Sequence, residues 1–161
     1  MEAIEGKDLK AIGYQTLMQA ASQYIAESMP LCERPEAVAD LIRPMALGLD
    51  QEVFWVLHLT AKNAVIRIVQ ATVGLADRTQ VHPREVFREA IRDNACRVIL
   101  ANNHPSGDAT PSSQDISATR QLVEAGKILG IEVLDHIVIG VLRSDGVRSL
   151  VSMREQNLLC F

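Results

Sequence analysis

Apolar residues recur every three to four positions across residues 8–28, with Ile12, Leu17, Ala20, Tyr24 and Ile25 on one face. That period is helical, and Met29-Pro30 closes the element. A second helix is expected to open at Pro35, a residue suited to a first helical turn, and to run through Ala37, Val38, Leu41 and Ile42. The texture then changes. Residues 53–59 (VFWVLHL) are aromatic and β-branched and predict a strand. Residues 65–73 alternate apolar and polar positions and predict its partner across an Ala61-Lys62-Asn63 turn. A helix is expected from His82-Pro83 to about Asp93, with Val86, Phe87, Ala90 and Ile91 on one face. Val98-Ile99-Leu100 reads as a short buried strand emptying into a loop, Asn102 to Pro111. A long helix from Ser113 to Leu129 stops at Gly130. Ile131–Val141 and, after a Ser144-Asp145-Gly146 turn, Val147–Val151 predict the last two strands. The order α-α-β-β-α-β-α-β-β implies one α/β sandwich around a mixed sheet. A helical N-terminal segment, 1–45, is expected to precede a single domain, 46–161.

Composition supports that reading and narrows the function. The 161 residues are 48% apolar and 22% charged, ordinary globular usage. No apolar run is long enough for a membrane helix, and the first residues carry no apolar signal-peptide core. The net charge of −4 gives no general attraction to phosphate, and residues 1–45 hold no basic cluster. Cys32, Cys96 and Cys160 are odd in number, far apart and without a CxxC pair. A disulfide framework and a thiolate zinc cage are therefore not expected, and a cytoplasmic location is. Cys96 is expected in the core.

Any metal must then be held by histidine and carboxylate, and the histidines are His58, His82, His104 and His136. The segment 100–115 (LANNHPSGDATPSSQD) lies between a buried strand and a helix, where loops rest on a rigid sheet edge. Asn102 and His104, two apart, would share one face of an extended chain, and Asp115 in the next helical turn could join them. Zinc accepts imidazole nitrogen and carboxylate oxygen. The same residues have a plain structural reading. Ser112-Ser113-Gln114-Asp115 is a capping-box pattern, and an acidic first turn is stabilised by the helix dipole without any metal. His58 and His82 read as strand and turn residues, and His136 as one half of a buried Asp135–His136 pair.

Asn103-His104-Pro105-Ser106-Gly107-Asp108, followed by Pro111-Ser112 and Asp115, strongly resembles the RadC family of the JAB/MPN/JAMM metallopeptidase-like superfamily. Gln51-Glu52-Val53-Phe54, His82 to Ala90 and Leu134 to Gly140 resemble it too, so the likeness covers about residues 33–153. The superfamily motif is a distant Glu, then H-x-H, seven residues, Ser, two residues, Asp. The resemblance implies a cytidine-deaminase-like α/β sandwich and zinc-assisted amide hydrolysis of a peptide or protein. It implies Glu52 as general acid/base, His104 and Asp115 as zinc ligands, and Ser112 as the group stabilising an oxyanion. One position departs. Asn102 stands where the family carries its first ligating His, and a neutral amide oxygen is a poor zinc ligand. A weakened centre with impaired catalysis is therefore expected. The other expectation is a catalytically inactive protein- or DNA-associated module on the same fold, DNA entering only through the repair role attached to the family name. The apolar C-terminus, Leu158-Leu159-Cys160-Phe161, suggests a homo-oligomer contact.

Overall fold

A strand buried on both faces has no room for polar alternation, and residues 53–59 show none. In the computed structural model, which describes residues 29–73, 81–140 and 149–161, Val53–Leu59 forms strand β1, buried along its whole length. It pairs antiparallel with β2 (Val65–Val73), and the turn between them places Asn63 at φ 60°. The Thr60 hydroxyl accepts the Ala64 N–H at 3.2 Å and so closes the hairpin. On the other side β1 pairs antiparallel with β3 (Arg97–His104), and β3 runs parallel to β4 (Glu132–Gly140). The short β5 (Leu150–Ser152) closes a five-stranded sheet of order β2-β1-β3-β4-β5.

Helices cover both faces. Helix α1 (Pro35–Ala46) lays Val38, Ala39, Ile42 and Ala46 against Trp55, Leu57, Ile99, Ala101 and Ile137. Helices α2 (Pro83–Arg92) and α3 (Ser113–Leu129) cover the opposite face, where Phe87 and Leu122 meet Phe54, Val56, Val98 and Leu100. The chain is thus an α/β sandwich with a mixed sheet, as its pattern predicts. The compact unit holding the sheet runs Leu31–Phe161, so α1 belongs with it. The helix expected over 8–28 and the turn at 144–146 lie outside the described residues.

Several expectations are corrected. Strand β3 continues through Asn102, Asn103 and His104, because those residues are paired on both sides, Asn102 with Phe54 and Val138. Asparagine has low strand propensity in general, but here its side-chain groups are bonded inside the sheet. Cys96 is exposed rather than in the core, since it precedes the strand instead of lying in it. Ile91, expected on the apolar face of α2, is 54% exposed. The last strand begins at Leu150, later than the pattern suggests. Separately from these corrections, Leu159 and Phe161 pack against the cluster of Ala109, Val138 and Met153.

The crossover from α3 to β4 is very tight. Gly130 ends the helix at φ 71°, and Ile131 N–H donates to Gly126 O at 3.0 Å. A Cβ on Gly126 would lie 2.4 Å from the Ile131 carbonyl oxygen. Alanine is the better helix former by about 1 kcal/mol, yet the clash is with backbone. Gly126→Ala is therefore expected to destabilise the chain by about 1–3 kcal/mol. Denaturant midpoints of the two proteins check this, and equal or raised stability would contradict the close approach.

Candidate metal centre

The chemistry sits where β3 ends and α3 begins, at the carboxyl edge of the two parallel strands, the usual location for a site in an α/β sheet. Asn102 and His104, two apart on β3, reach the same point, and α3 brings Asp115 to it in its first turn. Glu52 arrives from the residue before β1. One ligand atom from each of Glu52, His104 and Asp115 lies within 4.8 Å of the others. His104 Nε2 is 3.3 Å from Asp115 Oδ2 and 3.8 Å from Glu52 Oε1. The side chains of His104 and Asp115 are 13% and 9% exposed, whereas Glu52 at 41% opens to solvent.

Local bonds place each group. The His104 Nδ1–H donates to the Asp108 carbonyl at 2.8 Å across a turn closed by Gly107 N–H to His104 O at 3.0 Å. With the proton held on Nδ1, Nε2 faces the two carboxylates. The Asp115 carboxylate favours the protonated ring, which would donate to it, and, outweighing burial, raises the His104 pKa above its ordinary 6.5. The Ser112 hydroxyl donates to Asp115 Oδ2 at 2.7 Å, Ser112 N–H donates to the same oxygen at 2.7 Å, and Asp115 N–H donates back to Ser112 Oγ at 3.1 Å. The capping box is therefore real, and it orients the carboxylate that faces His104. Burial disfavours the ionised form of Asp115, but the His104 ring and the Ser112 groups outweigh it and bring the pKa to about 2.

Two residues carry roles that the pattern did not reveal. Asn103 is completely buried, and its side chain donates to Gln51 O at 3.1 Å while accepting Val53 N–H at 2.7 Å. It grips the backbone on either side of Glu52 and so sets where that carboxylate stands. Asn103→Ala is expected to cost about 2–3 kcal/mol, since it strands buried partners, and to shift the Glu52 backbone resonances. Loss of stability with Glu52 unmoved would count against this grip. The second residue is His136. The expected Asp135–His136 pair does not form between side chains, because adjacent strand residues point to opposite faces. The Asp135 carboxylate instead accepts His136 N–H at 2.7 Å, Arg154 N–H at 3.0 Å and the Ser152 hydroxyl. The His136 ring lies on the α3 face, with Nδ1 2.6 Å from Thr119 Oγ1 and Nε2–H donating to Asn102 Oδ1 at 2.9 Å. Of the other histidines, His58 pairs with Asp93 at 2.6 Å, away from the site, and His82 caps α2 by position without a side-chain hydrogen bond.

These residues can be tested as a cation site. Two ligands of a tetrahedral zinc with bonds near 2.0–2.1 Å are separated by about 3.3 Å. The His104–Asp115 separation matches that edge. A histidine whose far nitrogen donates to a backbone carbonyl is also preset for ligation. Asn102 is the discordant member. Its Nδ2 donates to Glu52 Oε1 at 2.6 Å and to Asp115 Oδ1 at 3.3 Å, so a donor group faces the place a cation would take. The centre fits a divalent cation through His104, Asp115 and Glu52, and Asn102 opposes it as oriented.

A mixed sheet between helices, with an imidazole–carboxylate cluster at the β3–α3 junction, makes this an α/β domain with a candidate metal centre. A family profile described as the RadC-like JAB domain matches residues 32–158, and the chain belongs to that family. It is 48% identical over 132 residues to a UPF0758 protein of Moorella thermoacetica, covering 82% of this chain and 55% of that protein. A UPF0758 protein of Desulfitobacterium hafniense is 46% identical over 130 residues, 81% of this chain and 55% of that protein. One from Symbiobacterium thermophilum is 48% identical over 129 residues, 80% of this chain and 52% of that protein. The chain thus spans about half the length of the curated relatives it matches. Among the described residues no helix is long and apolar enough to cross a membrane.

Proposed function

We propose that the domain is built as a JAMM-type zinc hydrolase centre acting on peptide or protein amides, with cation affinity lowered by Asn102. The clustering of Glu52, His104 and Asp115 within 4.8 Å carries this reading. His104 and Asp115 would hold the cation. Zinc, when bound, supplies a Lewis acid that polarises a carbonyl and makes water more acidic. The chain's own groups supply the proton chemistry and the orientation. Glu52, open to solvent and fixed by Asn103, is the carboxylate that takes a proton from the attacking water and returns it to the leaving amine. Ser112 faces Asp115 with its hydroxyl, so it orients that ligand, and an oxyanion role for it requires the hydroxyl to turn.

Zinc content of the purified full chain tests this reading, measured by elemental analysis without a histidine tag. Occupancy well below one per chain, rising on added Zn2+ and abolished by His104→Ala, is the expected result. Full occupancy that survives His104→Ala would overturn it. A second reading is favoured by one observation: the Asn102 amide donates to both carboxylates where a cation would otherwise bridge them. On that reading the domain is a catalytically inactive, protein-associated module. A salt-dependent shift with duplex DNA would instead support the nucleic-acid version, because phosphate contacts weaken steeply with salt.

A further inference from the structure

Asn102 is held by a chain of hydrogen bonds that can be written in two ways. Thr119 Oγ1 lies 2.6 Å from His136 Nδ1 and 2.6 Å from the Asp115 carbonyl oxygen, so its single proton has two acceptors. In the first arrangement the Thr119 hydroxyl donates to His136 Nδ1. His136 Nε2–H then donates to Asn102 Oδ1, and the Asn102 amide donates to Glu52 and Asp115. In the second, the Thr119 hydroxyl donates to the Asp115 carbonyl and accepts from His136 Nδ1–H. The bare His136 Nε2 then accepts from the Asn102 amide, turned over, whose Oδ1 faces Glu52 and Asp115. Both leave His136 neutral; the first gives up the Thr119 bond to the Asp115 carbonyl, and the second leaves Asn102 Oδ1 without a donor. They differ by one proton moved between ring nitrogens, a hydroxyl rotation and an amide turn.

The surroundings select between them. Without a cation, the second arrangement aims an oxygen at two carboxylates and is repulsive. With a cation between them, the first aims an N–H at positive charge and is repulsive. Asn102, His136 and Thr119 are completely buried, so water cannot substitute for a missing partner. We propose that His136 and Thr119 are positioning residues forming a tautomeric switch, which holds the Asn102 amide as a donor in the metal-free domain and turns its oxygen toward a divalent cation on binding. The switch rests on the cation reading above. It lets an asparagine serve the position in both states, with no change in net protonation.

The test is a long-range proton–nitrogen correlation spectrum of the full chain labelled with 15N-histidine, with and without Zn2+. Four histidines are present, and signals lost in His136→Gln assign His136. The expected metal-free spectrum shows His136 protonated on Nε2 and bare on Nδ1. Saturating Zn2+ is expected to exchange the two nitrogens between those spectral regions while His104 also shifts. Thr119→Val should blur the metal-free preference, and Thr119→Ser should restore it. An Nδ1-protonated His136 without metal overturns the inference, as does a His104 shifted by Zn2+ beside an unchanged His136. If the chain takes no Zn2+ at millimolar concentration while Asn102→His does, the switch falls and the family-type centre stands. If neither takes it, both fall.

Discussion

Replacing Asn102 by histidine is expected to tighten zinc binding by at least about a hundredfold. Loss of a mere outer partner of a zinc ligand costs about 10–100-fold in affinity, and a missing ligand costs more. The substitution does two things at once. It supplies an imidazole nitrogen on the face that His104 and Asp115 already share, and it removes the amide that donates to Glu52 and Asp115. A hundredfold gain corresponds to about 2.7 kcal/mol. Competition with a chelator of known affinity measures it. An unchanged affinity would mean that position 102 is no part of a cation site.

Acid is expected to weaken the fold as pH falls below 6.5. Burial pushes the His136 imidazole from 6.5 down to about 4. A histidine kept neutral in the folded chain contributes stability that is full above pH 6.5 and is lost as pH falls from 6.5 toward about 4. A shift of that size is worth about 3 kcal/mol. Burial also lowers the His58 pKa, against the pull of Asp93, and adds loss in the same direction. His104 has the opposite sign. Its raised pKa gives stability that is present below 6.5 and lost as pH rises through the raised value. Asp115 enters only later, between 3.8 and about 2. Urea denaturation near neutral pH and near pH 4 checks the first window. His136→Gln should flatten it markedly, and an unchanged slope in that variant would place the proton uptake elsewhere.

The fold was legible because its signals are redundant. The continuous apolar run at 53–59, the Pro35 and Pro83 helix starts and the Gly130 stop each match the element found there. Strand β3 was read short because Asn102 and Asn103 look like loop residues until their side chains are paired in three dimensions. At the site, the two-residue spacing of Asn102 and His104 and the S-x-x-D pattern pointed to residues that the structure brings together. Their capping and metal readings are the same arrangement seen twice, since the cap orients the carboxylate that faces His104. Asn103 and His136 stayed hidden for a different reason. Each acts through contacts with residues far along the chain, Gln51 and Val53 for one, Thr119 and Asn102 for the other. No local period records such contacts. Cys96 and Ile91 mark the converse error, apolar character read as burial at element ends.

The Asn103 grip and the Ser112 cap also bear on how such a centre changes over generations. Both stabilise the fold in their own right, so selection for a folded chain maintains the frame around Glu52, His104 and Asp115 whether or not a cation is used. Asparagine and histidine codons differ by a single first-position base. A lineage carrying this domain is therefore one point mutation from placing a histidine beside His104 and Asp115, with the scaffold already in place on both sides of the step.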